Sequence, residues 1–393
     1  MENKKENGEE EEEGSIEGDV LESILSYLPL LDLDSASQVS KSWNRAVFFS
    51  LRRFKTLPWL LIYTQKTYPP YTMSTTAMAY DPKSDSWIEL NSTSSSSSPS
   101  SPVEHVSVAR SSHSTLLYAL SPAGFSFSTD AFHLTWRHVA PPRVWRIDPI
   151  VAVVGRSLIV AGGVCDFEED RFAVELFHDG AWERCESMPD ALYASASATW
   201  LSVAASSEKM YVTEKSSGVA FSFDPETRSW TRLLDLCPGG CGLYSRSIGF
   251  SGESLIMAGI TGDEDNPTGI ELWEVIVSDE SPMDSRFESI GSMPEACLDK
   301  LRGADSDWPL TSLAFNAVGD MVYIHDAAEN GGEIVAAEIG EGGKLCEWRT
   351  LPNANAIWNN KSHAAERVIV ACSNVGFSDL KFAFKNNLSF STA

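Results

Sequence analysis

Hydrophobic positions divide the chain into two stretches of different period. Between Asp19 and Lys55 they recur every three to four residues. Val20, Leu21, Ile24, Leu25 and Leu28 fall on one stripe, which predicts a short helix starting at Asp19 and ended by Pro29. Asp19, with Glu22 three residues on, has the spacing of a capping box. A second short helix fits Asp34 to Val39, with Ala36 and Val39 inward. A third fits about Ser42 to Lys55 and carries Trp43, Val47, Phe48, Leu51 and Phe54. Three helices this small enclose little core, so the module is expected to gain stability from a partner or from the domain that follows.

From Leu57 the period changes. Short β-branched and aromatic runs alternate with Gly, Pro, Ser and Asp turns, with no long amphipathic helix, which is an all-β pattern. The runs repeat. Strands such as Leu60–Tyr63, Leu116–Ala119, Leu158–Gly163, Met210–Val212, Leu255–Gly259, Met321–Ile324 and Val368–Ala371 end near small residues. Most are followed by a turn and an aromatic marker. The markers Trp87, Trp136, Trp182, Trp230, Phe287 and Trp348 stand 49, 46, 48, 57 and 61 residues apart. A repeat near this length, with four short strands, predicts a β-propeller blade. Gly162-Gly163 would let backbones approach closely, and the Trp would fill the wedge between blades. The tail adds two expected strands, Arg367–Cys372 and Lys381–Lys385. They would complete the first unit by ring closure and give six blades; a short seventh blade is the alternative.

Charge narrows the partners. The chain carries 55 acidic and 30 basic residues, a formal net charge of −25, which disfavours nucleic acid and anionic membrane. Residues 1–18 are Glu-rich with almost nothing to bury, and read as a disordered tail. The N-terminus lacks the basic and then apolar order of a secretory signal, and no apolar run approaches membrane-spanning length. The seven cysteines are scattered, which fits reduced thiols in the cytoplasm or nucleus. Cys237 and Cys241 are close but lack nearby histidines, so no metal is expected there. The serine-rich segment 91–102 reads as a flexible loop, 261–269 and 278–286 as acidic or polar loops, and 295–307 as a long connector. The seven histidines share no motif, and no nucleophile elbow, phosphate loop or zinc-protease helix is present. The expectation is a non-catalytic protein without a cofactor.

Two resemblances follow from these residues. The run Asp19-Val20-Leu21-Glu22-Ser23-Ile24-Leu25-Ser26-Tyr27-Leu28-Pro29, then Leu33-Asp34, then Val39-Ser40-Lys41-Ser42-Trp43-Asn44, resembles an F-box. It departs from that pattern in having Ile16-Glu17-Gly18 where a Leu-Pro pair is usual, and Ser40 where a Cys is usual. The later repeats resemble the degenerate kelch repeats of plant F-box/kelch proteins, best at Leu158–Trp182. The organisation implied is an acidic tail over 1–18, an F-box domain over 19–56 and an all-β kelch-type β-propeller over 57–390. In that family the F-box docks to a Skp1-like linker protein, and through it to a cullin-RING ubiquitin ligase, while the propeller holds the protein substrate. The resemblance assigns docking to Val20, Leu21, Ile24, Leu25, Leu28, Pro29 and Trp43, the last in the segment that packs the small core. The alternative is a propeller scaffold or regulatory binder that engages no ligase.

A second aromatic series stands ahead of the expected innermost strands: Trp145, Tyr193, Tyr244, Trp308 and Trp358, with Arg143, Arg146 and Arg246 beside some of them. Aromatic anchors with an arginine rim suit a protein-binding face. The other reading is that these rings pack between blades.

Overall fold

The apolar runs from Leu57 onward are continuous because their strands are buried on both faces. In Leu60-Leu61-Ile62-Tyr63, Leu60 and Ile62 join one core and Leu61 and Tyr63 another. In Leu158-Ile159-Val160-Ala161 the alternation repeats. Six such cores lie between six sheets arranged in a ring. The computed structural model describes residues 18–392 apart from 29, 52–55, 69–71, 92–106, 111–113, 122, 164–171, 241, 279–284, 304–308, 328–332, 341–343, 352–364, 377 and 381–388. The acidic tail before Gly18, almost all of the serine-rich segment and the expected strand Lys381–Lys385 lie outside these residues.

The protein is a six-bladed β-propeller preceded by three helices, α1 (Asp19–Leu25), α2 (Leu30–Ser37) and α3 (Lys41–Ser50). Blade 1 contains β1 (Leu57–Tyr68), β2 (Thr72–Asp81) and β3 (Ser86–Asn91). Blade 2 is β4 (Ser107–Arg110), β5 (Leu117–Ser121), β6 (Gly124–Ser128) and β7 (Arg137–Val139). Blade 3 is β8 (Ile150–Val154), β9 (Ser157–Ala161), β10 (Val174–His178) and β11 (Ala181–Arg184). Blade 4 is β12 (Leu201–Ala205), β13 (Met210–Glu214), β14 (Ala220–Asp224) and β15 (Ser229–Arg232). Blade 5 is β16 (Leu243–Ser251), β17 (Ser254–Gly262), β18 (Pro267–Ile276) and β19 (Arg286–Ser292). Blade 6 is β20 (Leu313–Val318), β21 (Met321–Asp326), β22 (Val335–Ile339) and β23 (Leu345–Thr350). A helix, α4 (Glu295–Arg302), sits in the long connector expected over 295–307, burying Leu298 and Leu301. At two turns it is too short to leave a clear periodic signal in the sequence.

Ring closure takes the six-blade form. β24 (Ala365–Val375) pairs antiparallel with β1 from Leu57↔Val375 to Thr67↔Ala365, supplying the innermost strand of blade 1. The chain then crosses to the outer edge, where β25 (Ser389–Thr392) pairs with β3. Blade 1 thus has five strands, in the order β24-β1-β2-β3-β25.

Polar straps tie neighbouring blades. The buried Tyr63 hydroxyl donates to the Ala131 carbonyl, Tyr118 to Pro149, Tyr244 to Leu310 and Tyr323 to Pro58. Burial pushes the Tyr63 and Tyr323 hydroxyls well above their ordinary pKa, so both remain donors. Serines link the inner strands: Ser202 Oγ accepts from Ile248 N at 2.9 Å, and Ser247 Oγ donates to the Leu313 carbonyl at 3.0 Å. Ser114 bridges two blades, its Oγ accepting from Ala317 N at 2.8 Å and its carbonyl from Cys372 N at 2.6 Å. The serine contacts satisfy backbone groups on inner strands that have only one sheet neighbour. The Trp marker does fill a wedge. Trp182 packs edge-on to Phe125 of the preceding blade and donates Nε1–H to the Ala140 carbonyl at 2.8 Å.

The helices share one core with blade 1. Leu21, Leu25, Leu33, Val47 and Leu51 are continuous with Trp59, Leu61, Ile88 and Ile369, and with Ala131 and Phe132 of blade 2. Lys83 Nζ donates to the Ser26 carbonyl at 2.9 Å across the same junction. The expected dependence of the small module on its neighbour is met in this way. Tyr323→Phe removes the donor to the buried Pro58 carbonyl and should cost about 1–3 kcal/mol, read as a lower urea midpoint with unchanged slope.

Candidate functional site

The helical end presents an apolar surface as well as a core. α1 is capped at Gly18, whose carbonyl accepts from Glu22 N, and no side chain caps it; the Asp19–Glu22 capping box does not form because Asp19 is already inside the helix. α3 is capped by Ser40, whose hydroxyl accepts from Trp43 N at 3.2 Å. The stripe read from the sequence splits in two. Leu21 and Leu25 are buried, and Leu28 and Trp43 are half-buried against them. Val20, Ile24 and Tyr27 point outward, 62%, 46% and 81% exposed. They follow one another at i, i+4 and i+7, the spacing of one helical face. Val39, expected inward, is also exposed, since it lies in the turn after α2. Pro29 and Phe54 lie outside the described residues. Tyr27 and Val39 were absent from the sequence-derived docking set, although the 20-24-27 spacing was available to find the first.

Strand order fixes where the second aromatic series lies. In each sheet β24, β4, β8, β12, β16 and β20 are the inner strands. Antiparallel hairpins then put two kinds of loop on one face: the turns between second and third strands, and the connectors from each outer strand to the next inner one. The helices join β1 at the opposite end, on the face carrying the β2–β3 and β6–β7 turns. Lys83 and Ala131, which belong to those turns, touch or share a core with the helices. Trp145, Tyr193 and Tyr244 therefore stand on the face away from the helices.

On that face the predicted residues divide. Arg146 is buried, with Nη2 2.8 Å from Glu175 Oε2 and Nη1 donating to the Ala173 carbonyl at 2.6 Å. Glu175 also accepts the Arg143 and Val144 amides at 2.8 and 3.1 Å. Arg246 is likewise buried, donating to the Leu236 and Ser216 carbonyls. Both guanidiniums fasten loops together and neither forms a rim, because each is consumed by backbone carbonyls of its own chain. Tyr244 is half-buried and tied to Leu310, which is the packing role. Trp308 and Trp358 lie outside the described residues. Arg143, Trp145 and Tyr193 remain exposed. Ile147 and Trp200, at 63% and 62%, are more exposed still and were not singled out from sequence.

The loops beneath are tightly fixed. Gly162 and Gly163 have φ of 59° and 90°, and a Cβ at either would sit 2.5 Å from the Ala196 carbonyl oxygen or 2.8 Å from that of Ile147. The close approach expected of this pair is therefore to the connectors that lead into β8 and β12. Among the described residues no group of three or more His, Cys, Asp or Glu side chains is placed to hold a metal ion, and no helix is long and apolar enough to cross a membrane.

A family described as F-box domain matches residues 18–53. An F-box/kelch-repeat protein of Arabidopsis thaliana is 81% identical over 384 residues, covering 97% of this chain and 95% of that protein. A solved structure of a candidate 6-phosphogluconolactonase from Bacteroides uniformis aligns over 74% of this chain and 82% of its own, with a TM-score of 0.38 and 13% identity. That likeness is too distant to carry an argument.

Two measurements test the site's framework. Arg146→Ala would leave Glu175 buried without its partner and should cost about 3–5 kcal/mol, whereas Arg146→Met with Glu175→Gln should recover part of the loss in urea unfolding. His325, buried near the end of β21, has its imidazole pushed down to about 4 by burial. The unfolded chain then binds a proton near pH 6.5 that the folded chain refuses until about pH 4. Stability is therefore full above pH 6.5 and falls between those values, by about 3 kcal/mol. His325→Gln should flatten that decline in unfolding curves taken at pH 7.5 and pH 5.

Proposed function

Because this chain belongs to the F-box/kelch-repeat proteins, we propose that it is the substrate-recognition adaptor of an SCF-type ubiquitin ligase. The F-box region over 19–56 docks to a Skp1-like linker, and through it to a cullin-RING ligase. The propeller over 57–390 holds a protein substrate. The observation that carries this reading is the outward stripe Val20, Ile24 and Tyr27, left bare on a helix whose other side is sunk into the propeller's core. An exposed apolar stripe of this kind fits a protein partner. The adaptor performs no chemistry. It raises the effective concentration of the substrate near the conjugating enzyme, and its rigid junction with the helices makes the substrate's orientation reproducible. Such a role belongs in the cytoplasm or nucleus, where ubiquitin ligation takes place.

A second reading has one feature in its favour. Ile16-Glu17-Gly18 replaces the Leu-Pro pair usual before the first helix, which removes apolar contact at the leading edge. On that reading the protein is a scaffold or regulatory binder that engages no ligase.

The intact chain should be used to separate the two, because the helices are not independent of blade 1. Co-purified with a Skp1-type linker, the wild-type chain should bind. Val20→Asp with Ile24→Asp, both at exposed positions, should weaken binding at least ~100-fold without lowering the unfolding temperature. Leu28→Ala with Pro29→Ala should weaken it as well. Failure of the intact wild-type chain to bind any such linker would sink the adaptor reading and leave the scaffold.

A further inference from the structure

The large hydrophobic side chains that the protein leaves exposed are not scattered. Among the described residues they are Val20, Ile24, Tyr27, Val39 and Phe49 in the helical region, and Trp145, Ile147, Tyr193 and Trp200 on the propeller. The four propeller residues all fall in the two connectors that lead into β8 and β12, on the face away from the helices.

Those connectors are locked to each other. Asp148 holds a left-handed φ of 56°. Its Oδ2 accepts from Ser197 Oγ at 2.7 Å, Thr199 N at 2.9 Å and Thr199 Oγ1 at 2.6 Å, and its carbonyl accepts from Ala198 N at 3.0 Å. Gly163 N donates to the Ala196 carbonyl at 2.5 Å. Tyr193 stacks flat on Phe172, with ring centroids 3.6 Å apart. Lys215 N donates to the Trp200 carbonyl at 3.0 Å and Lys215 Nζ to that of Thr199 at 3.1 Å. Together with the buried Arg146–Glu175 pair, this is a base in which a strained backbone and a buried charge are held by surrounding bonds. Rings and branched aliphatics mounted on such a base lose little freedom on binding, and that is what a hot spot requires.

We propose that this sector of blades 3 and 4 is a preorganised docking platform, with Ile147 and Trp200 as principal anchors and Trp145 and Tyr193 beside them. Its occupant is a basic protein segment carrying large apolar side chains. Charge decides the occupant. The chain is at −25, and the turn between β17 and β18 on the same face exposes Asp263, Glu264 and Asp265. A second copy, the chain's own Glu-rich N-terminal segment and an anionic membrane are all repelled; a cationic segment is attracted. That the segment belongs to the ligase substrate rests on the adaptor reading. The platform itself does not.

The test uses a displayed library of random peptides of about twelve residues. It is selected on the intact protein and counter-selected on the doubly substituted Ile147→Asp/Trp200→Ala chain. The enriched peptides should carry a net positive charge and at least one large apolar residue. A synthetic representative should bind the double variant at least ~30-fold more weakly by fluorescence anisotropy, and should weaken as salt rises. Both substituted positions are exposed, so the variant should unfold at the wild-type temperature. It should also bind the Skp1-type linker as the wild type does, because the helices lie on the other face. No enrichment, enrichment of neutral or acidic peptides, or equal binding by the double variant would overturn the platform. So would dimerisation of the wild-type chain in light scattering that the double variant loses, which would assign the surface to a second copy. Loss of linker binding by the wild-type chain with intact peptide selectivity would remove the adaptor reading alone.

Discussion

The pairing of β24 with β1 is the constraint from which the rest of this structure follows. Every blade is a thin sheet whose two faces are both apolar, so none is stable until it has a neighbour on each side. In an open row the first and last blades would each expose one such face. Bringing residues 365–375 back beside the first strand removes both exposed faces at once. It places Cys372 in the wedge with blade 6, and Ile369 and Ala371 in the wedge with blade 2. The tyrosine and serine straps between blades are secondary to that closure, because they satisfy polar groups whose positions the ring has already set.

Closure also decides what the helices can be. The wedge between blades 1 and 2 opens towards the face where the chain enters β1, and the helices fill it with Leu21, Leu25, Leu33, Val47 and Leu51. Each such side chain contributes about 1.5–3 kcal/mol on burial, and a three-helix module of this size buries too little surface by itself. The outcome is a chain with two faces: helices with a bare apolar stripe on one, and the connectors carrying Trp145, Ile147, Tyr193 and Trp200 on the other. The two faces are held in relation by side chains of the helices packed into the core of blade 1.

Much of this was legible in sequence. The change of period at Leu57, the spacing of the tryptophans and the glycine pair at Gly162-Gly163 required a propeller, and the apolar stripe from Val20 to Leu28 required a helix. These are local signals: a strand buried on both faces and a helix buried on one have different periods whatever they pack against. The tail's role in closure was legible too, since the first unit lacked a strand and the last residues offered one.

What the sequence left open depends on contacts between residues far apart in the chain. Arg146 and Arg246 look like rim residues beside aromatics, yet each meets carbonyls that only the folded loops bring near. Val39 reads as inward by its apolarity, but the turn it occupies faces away from the core. Trp200 gave no signal because a tryptophan ahead of a strand is as consistent with a wedge as with a surface. Sequence alone determined that this chain forms helices and then a ring of blades, because periodicity records which sides of an element avoid water. Only the tertiary structure decided which aromatics are spent on packing and which face outward, because exposure depends on neighbours that periodicity does not name.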